Sequence, residues 1–306
     1  MRPSLAVFVP TFRRPVKLVQ TLESLWNQDI IESFLIAIAD NDAISREGES
    51  AARSWADCRG FSERVLTLVV PERGISQCRN AGLQAITNLY PSVAFVAMID
   101  DDARAGPGWL RHLVGMQRKF NAELVGGPVI YDFPADSSDS LQSAPMFNVP
   151  KYKAGYVDRL RGSGNCLLAT SLLQTMMPQP FDEKFGLSGS EDVDFFERCA
   201  RLGAKSAWAP DALVFETVPP ERLSREWLLN RAYSTAHSEV RIIFKYHRKL
   251  DALVILGLLI ARSGTAGFIR LLAFRNRRVR LTGEIKIAQC LGRLAAFLKK
   301  QNTLYR

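Results

Sequence analysis

The sequence predicts an α/β protein built on a mostly parallel central sheet flanked by helices, and three observations carry that prediction. Four short segments are apolar without polar alternation: residues 4–10 (SLAVFVP), 34–39 (FLIAIA), 65–70 (VLTLVV) and 93–99 (VAFVAMI). Runs of that kind suit strands covered on both faces. Segments with helical spacing lie between them, which is the alternation of a parallel sheet. Each run also ends in polar residues: Thr11-Phe12-Arg13, Asp40-Asn41-Asp42, Glu72-Arg73-Gly74 and Asp100-Asp101-Asp102. Sheets of this type bind ligands beyond the carboxyl ends of their strands.

In chain order, the first run ends at Pro15, well placed at the first turn of a helix that carries Leu18, Leu22, Leu25 and Trp26 at helical spacing. A polar region at 45–60 carries the next helix weakly. Ser76 is positioned to cap a helix containing Arg79, Asn80, Leu83 and Ile86. After Trp109 and a further helix, residues 124–131 (LVGGPVIY) read as a strand with a Gly-Gly break. Residues 133–154, rich in Pro, Ser and Asp, predict a long loop of the kind that closes over sites. Arg161-Gly162-Ser163-Gly164-Asn165 then leads into a short strand at 166–169. Its glycines let a backbone approach a ligand, and an ordinary glycine turn explains them equally well.

Composition narrows the function. The chain of 306 residues is 47% hydrophobic and 23% charged, as expected of a globular protein with a substantial core. Its +9 net charge is uneven: from Arg222 onward there are 18 Lys/Arg against 4 Asp/Glu, and before it 22 against 27. The tail therefore calls for an anionic partner surface. Five scattered cysteines without a CxxC pair indicate neither a disulfide framework nor a zinc site. The apolar run at 5–9 is too short for a signal peptide, so the expected location is cytoplasmic.

Two acidic constellations carry chemistry. Three aspartates at one strand end repel one another, so something positive belongs among them. A divalent cation with oxygen ligands is the simplest candidate, and a solvated polar turn is the bland one. No GxGxxG or GxxxxGK[ST] occurs, which removes a dinucleotide fingerprint and a P-loop as explanations. The second constellation is Ser188-Gly189-Ser190-Glu191-Asp192-Val193-Asp194-Phe195-Phe196. Ser188 and Glu191 have the form of a capping box. Glu191, Asp194, Arg198 and Arg201 share a polar face, whereas Asp192 falls on the stripe of Phe195, Phe196 and Cys199 and is expected to point inward. An acid there is a buried cap or a general base in a pocket.

In the tail, Trp227, Leu228 and Arg231 follow Arg222 at helical spacing, and residues 252–261 (ALVILGLLIA) form an apolar run stopped by Arg262. Ten residues are too few to cross a bilayer. With Phe268, Leu271, Leu272 and Phe274 and the arginines 270, 275, 277, 278 and 280, the segment reads as interfacial. A basic helix packed on the domain is the alternative. No nucleic-acid module is present, and the basic stretch is interleaved with aliphatic residues rather than stacking aromatics.

The chain resembles glycosyltransferase family 2, and within it the bacterial exopolysaccharide enzymes of the succinoglycan type. The resemblance rests on Val9-Pro10-Thr11-Phe12-Arg13-Arg14-Pro15, Asp40-Asn41-Asp42, Arg73-Gly74-Ile75-Ser76 with Arg79-Asn80, and Ile99-Asp100-Asp101-Asp102. It continues through Gly162-Ser163-Gly164-Asn165, Phe181-Asp182-Glu183, Glu191-Asp192-Val193-Asp194 and Val218-Pro219 with Arg222 and Trp227. It implies a GT-A fold over residues 1–235, with a nucleotide-sugar-binding half (1–110) and an acceptor-binding half (111–235), ahead of a basic helical, membrane-associating region (236–306). It also implies inverting sugar transfer from a nucleotide-sugar, with UDP the commoner carrier, and Mg²⁺ or Mn²⁺. The nucleoside then falls to Pro10, Thr11, Arg13 and Asp40, with Arg79 beside the donor. Asp100 and Asp101 fall near the ribose and metal, Asp102 is the direct metal ligand, and Asp192 is the base. Glu191, Gly164, Asn165, Arg222, Trp227 and Arg231 are assigned to the acceptor side. The implied acceptor is polyprenyl-diphosphate-linked, met at the inner face of the plasma membrane by a peripheral protein without a spanning helix. The competing classes are a metal-dependent nucleotidyl- or phosphotransferase and a non-catalytic nucleotide-sugar-binding scaffold.

Overall fold

The structure is a computed structural model that describes residues 3–272 and 275–298. Phe274 and the last eight residues of the basic tail lie outside the described residues. The chain divides into two compact units, the first comprising 1–130, 149–186 and 191–217 and the second 131–148, 187–190 and 218–306.

The first unit opens with the predicted alternation: β1 (Leu5–Thr11), α1 (Pro15–Trp26), β2 (Phe34–Asp40), α2 (Glu47–Cys58), β3 (Val65–Val69), α3 (Ile75–Leu89) and β4 (Phe95–Ile99). It continues with β5 (Ala103–Ala105), α4 (Trp109–Phe120), β6 (Leu124–Gly126) and β7 (Val129–Asp132), which leads into the second unit's α5 (Asp139–Gln142). Then come β8 (Gly155–Val157), β9 (Asn165–Ala169), α6 (Thr170–Gln174), α7 (Glu191–Arg201), β10 (Ser206–Trp208) and β11 (Val214–Thr217). Eight strands form one sheet in the order β3-β2-β1-β4-β9-β6-β10-β8, and a three-stranded sheet has the order β5-β11-β7. The first four strands pair in parallel, while β9 runs antiparallel between β4 and β6. The sheet is therefore mostly parallel, as expected.

The unbroken apolar runs are explained by two cores. Val7, Val9, Ile36 and Ile38 point to one face and pack with Leu18, Leu22 and Leu25 of α1. Ala6, Phe8, Leu35 and Ala37 point to the other and pack with Leu83 and Ile86 of α3 and Phe195 and Phe196 of α7. Alternation in direction is present, but both directions are buried, so polarity does not alternate.

Three local expectations are corrected. Ser76 does not cap α3: the cap is Gly74, and Ser76 is buried one residue inside the helix, its hydroxyl donating to the Asp182 carbonyl at 3.1 Å. The apolar 124–131 segment is two strands, because the chain crosses at Gly126-Gly127, where a Cβ on Gly127 would lie 2.5 Å from the Ala212 carbonyl. Residues 133–148 are not a free lid: they carry α5 and a 3₁₀ turn, and bury Ala144 and Phe147 within the second unit.

The second unit is built on three long helices, α8 (Arg225–Tyr246), α9 (Lys249–Leu271) and α10 (Arg277–Phe297). Ser224 caps α8 by accepting from the Trp227 amide. The expectation that the apolar tail is too short to span counted only the run before Arg262. The helix continues through Arg262 to Leu271, and its 23 residues are long and apolar enough to cross a bilayer by length and composition; 22% of its most apolar stretch is buried.

Candidate active site

The site lies at the carboxyl edge of the first unit's sheet. Thr11 and Asp40 are Cα partners at the ends of β1 and β2, with Pro10 opposite Ala39. Asp40 is fully buried; one carboxylate oxygen accepts from the Asp42 amide at 3.0 Å and the other from the Glu49 amide at 2.9 Å, in the first turn of α2. Gly48 is required for that approach, since a Cβ there would sit 2.7 Å from the Thr11 methyl and 2.9 Å from Asp40. Asn41 accepts from the Gly74 amide at 2.8 Å and donates to the Glu72 carbonyl at 2.8 Å, tying the end of β2 to the start of α3. Arg13, in the left-handed region at φ 54°, donates to Asp42 at 2.7 Å and holds that carboxyl well below the usual range. Its guanidinium and that of Arg73 both lie over the Phe12 ring.

The three aspartates after β4 diverge. Asp101 turns back to β1, accepting from the Thr11 hydroxyl at 2.7 Å, and is 4% exposed. Arg14 donates to Asp101 at 3.1 Å and to Asp102 at 2.9 Å from the same nitrogen. Asp100 faces Arg79, at 3.6 Å, with 43% of its side-chain surface open. Thr21 of α1 braces the turn by donating to the carbonyls of Asp101 and Ala103. Burial, reinforced by Asp102 and Asp100 against the pull of Arg14 and Thr11, pushes the Asp101 carboxyl up to about 6. Asp100 is raised too, first by the partial burial of its carboxyl and then by Asp102 and Glu191, with Arg79 and Arg14 opposing. Excess negative charge collects here, as expected, but arginines supply part of the positive charge.

Arg79 is the central tie. Its guanidinium is buried, 2.5 Å from Glu191 and over the Phe181 ring. Burial alone would lower its pKa; Glu191, Asp100 and Asp192 together raise it instead. The first turn of α7 is thereby drawn to the end of β4. Neighbouring Asn80 reinforces this by donating to the Phe181 carbonyl and accepting from its amide, both at 2.8 Å. The expected orientation of α7 is reversed in part. Glu191 and Asp194 are buried, Asp194 facing Arg198 at 3.2 Å, while Asp192 is half-buried, its carboxylate accepting from the Val193 amide. Ser188 is not the helix cap; its hydroxyl accepts from Arg241 at 3.0 Å.

Ile99 pairs with Asn165, which brings Gly164 opposite Asp100: a Cβ on Gly164 would lie 2.7 Å from the Asp100 carboxylate. Asn165 itself is buried, donating to the Pro128 and Ala212 carbonyls and accepting from the Trp109 indole at 2.8 Å. That is an architectural tie. The structure thus gathers Pro10, Thr11, Arg13, Asp40, Arg79, Asp100–Asp102, Gly164, Asn165, Glu191 and Asp192 in one unit. Arg222, Trp227 and Arg231 belong to the other, where the Arg222 guanidinium lies 5.8 Å from the Trp227 ring centroid. Arg14, which donates to Asp101 and Asp102, joins the candidate site, and the Arg-Arg pair ahead of Pro15 is its sequence signal. Burial pushes the Cys78 and Cys199 thiols up to about 12 and raises Cys166 as well, so these three buried cysteines offer no nucleophile.

Among the described residues no group of three or more His, Cys, Asp or Glu side chains forms a metal cage. Two neighbouring carboxylates, Asp100 and Asp102, nevertheless offer the kind of oxygen donors a hard cation would take, with waters and phosphate oxygens as its other ligands. The site fits Mg²⁺ or Mn²⁺ of that kind.

A mostly parallel sheet covered on both faces, with an acidic, arginine-tied carboxyl edge, is here the architecture of the GT-A fold. Solved structures of that fold match over nearly the whole chain. A mannosyltransferase from Pyrobaculum calidifontis in complex with GDP-Man and Mn²⁺ superposes with a TM-score of 0.63 at 18% identity, over 98% of this chain and 89% of that one. S. aureus TarS 1–349 in complex with UDP gives 0.54 at 14% identity, over 94% and 92%. The chain belongs to glycosyl transferase family 2, whose model matches residues 6–174. Succinoglycan biosynthesis protein ExoM of Rhizobium meliloti is 29% identical over 88% of this chain and 86% of its own length. A glucosyl-dolichyl phosphate glucuronosyltransferase of Haloferax volcanii is 24% identical over 78% and 76%.

Proposed function

We propose that this glycosyltransferase moves a sugar, with inversion, from a nucleotide-sugar to a hydroxyl of a saccharide acceptor in cell-surface polysaccharide synthesis. The observation that carries the proposal is the Arg79 tie. It joins the acids ending β4 to the first turn of α7, so that a donor site and a candidate base share one edge.

Pro10, Thr11, Arg13 and Asp40 line the nucleoside end, where Asp40 serves mainly to hold the α2 turn. Asp102 with Asp100 would hold Mg²⁺ or Mn²⁺, which supplies positive charge against the diphosphate leaving group. Arg14 adds a guanidinium from the β1 side, suited to phosphate oxygens. Asp192 takes the proton of the attacking hydroxyl at its carboxylate. Attack comes from the face opposite the nucleotide, so no covalent intermediate with the chain is needed. Glu191 keeps Arg79 in place, and Gly164 leaves Asp100 room that a side chain would fill. UDP is the proposed carrier. ExoM and the Haloferax enzyme, by their names, act in succinoglycan synthesis and on a lipid-phosphate sugar, and by analogy a polyprenyl-diphosphate-linked acceptor at the inner membrane face is proposed here. Arg222, Trp227 and Arg231 are proposed for the acceptor's pyrophosphate.

A panel of UDP-, GDP- and dTDP-sugars with Mn²⁺ or Mg²⁺, read by thermal stabilisation and slow hydrolysis, tests the proposal. One nucleotide-sugar should bind in a metal-dependent way, and binding should be lost in Asp102→Ala. Binding of none of them would overturn it.

A further inference from the structure

Outside the site, the outer face of α9 is an exposed apolar surface without a partner role in the fold. Exposed large apolar residues cluster towards its two ends: Leu250, Leu253, Val254 and Leu258 in the amino-terminal half, and Phe268, Ile269 and Leu272 at and just beyond the carboxyl end. With Gly257, Ala261 and Thr265 these form one stripe at helical spacing. Arg262 follows Ala261 by one residue and so projects about 100° round the axis, at the shoulder of the stripe. The opposite stripe, Ala252, Leu256, Ser263 and Gly267, is buried. An exposed apolar face of this length marks a surface that meets a membrane or another protein.

The buried stripe fixes α9 to α10. A Cβ on Gly283 would lie 3.0 Å from the Gly267 carbonyl, and one on Gly264 would lie 3.5 Å from the Cys290 sulfur, so the two helices run antiparallel in close contact. On its far side α10 meets α8: a Cβ on Gly292 would lie 2.3 Å from the Tyr233 carbonyl, Arg293 pairs with Glu239 at 2.8 Å and Arg225 with Glu284 at 2.7 Å. α9 is therefore the outer layer of a helical stack whose next layer is charged. To cross a bilayer it would have to part from α10 or drag Glu284, Lys286 and Arg293 into the hydrocarbon. Lying in the plane of one leaflet requires neither.

The charges suit an anionic surface. Lys245, Arg248 and Lys249 lie at the amino end of α9, and Arg270, Arg275, Arg277, Arg278 and Arg280 at its carboxyl end. Lys286 of α10 is lowered by burial and by Arg293, Arg262 and Arg270 around it, with Glu239 opposing. Such a cationic group beside an apolar stripe matches a lipid phosphate above its acyl chains.

We propose that α9 lies lengthwise in one leaflet of an anionic bilayer, its Leu250–Val254–Leu258–Phe268 stripe among the acyl chains and Arg262 and Lys286 at the phosphates. This deepens the membrane-face placement above and rests on it for location alone. The test is flotation of the full chain with vesicles of phosphatidylcholine, with and without phosphatidylglycerol. Binding should need the anionic lipid and weaken with salt. The exposed-site double variant Val254→Asp/Phe268→Asp should lower the bound fraction about tenfold or more while keeping the thermal midpoint. A fluorescent residue placed in turn at Leu250, Ala261 and Phe268, quenched by lipids brominated at different depths, should report one shallow depth for all three. A deep Ala261 between shallow ends would mean a spanning helix and overturn the proposal. So would absence of flotation, a wild-type dimer that the double variant makes monomeric without any lipid binding, or binding to DNA in place of vesicles. Nucleotide-sugar hydrolysis without vesicles separates the two readings: flotation without turnover leaves this inference standing and removes the transferase reading.

Discussion

Replacing Arg79 with methionine is the perturbation whose consequence the geometry fixes most closely. The guanidinium is 4% exposed and Glu191 is 7% exposed, and the two stand 2.5 Å apart with Asp100 at 3.6 Å. Arg79→Met fills the volume but leaves Glu191 buried near two other carboxylates without its counter-charge. Breaking one partner of a buried ion pair costs about 3–5 kcal/mol. At about 3 °C per kcal/mol for a domain of this size, the thermal midpoint should fall by about 10 °C at neutral pH. The loss should shrink as pH is lowered, because Asp100, already raised by burial, loses the opposing pull of Arg79 and takes up a proton more readily. Arg79→Met/Glu191→Leu removes both charges and should recover most of the midpoint, giving a large coupling energy in a double-mutant cycle. A single variant that lost less than about 1 kcal/mol, or a double variant no better than the single one, would refute the claim that this ion pair holds α7 to β4.

Two further outcomes follow from the same edge. Asp101, pushed up to about 6 by burial first, holds a proton that the unfolded chain releases at the ordinary carboxylate value. The folded state thus binds more protons between about pH 4 and 6, and stability falls as pH rises through that window, by up to about 3 kcal/mol. Asp101→Asn should flatten this dependence in donor-free denaturation curves and raise stability at neutral pH. Arg14→Ala frees the Asp101 and Asp102 carboxylates from a bound cation, so affinity for Mn²⁺ alone should rise in a titration while sugar transfer slows.

What the sequence disclosed follows from range. The strands of the first unit were legible because residues such as Val7 and Phe8 are both buried, and a segment covered on both faces has no choice but to be apolar. Pro15 and the polar strand ends were legible because turn chemistry is local. The inward face of α7 was misread because Glu191 answers to Arg79, 112 positions earlier, and helical spacing cannot report a partner at that distance. Ser76 has the look of a cap in the sequence because its hydroxyl's partner, the Asp182 carbonyl, is 106 positions on. Nothing in the sequence separates the roles of Arg13 and Arg14, which meet different acids, because the left-handed φ of Arg13 leaves no mark in composition. The length of α9 was underestimated because an arginine was read as a stop, whereas its side chain leaves the apolar stripe at the shoulder.

The central claim is that one edge of the first unit's sheet holds both the donor and the base. It is tested most directly by Asp192→Asn at saturating donor, with transfer rate and donor affinity measured in the same preparation. The account predicts a transfer rate reduced about a hundredfold or more, with donor affinity nearly unchanged. A variant that still transfers sugar near the wild-type rate, or one that loses donor binding along with transfer, would contradict it.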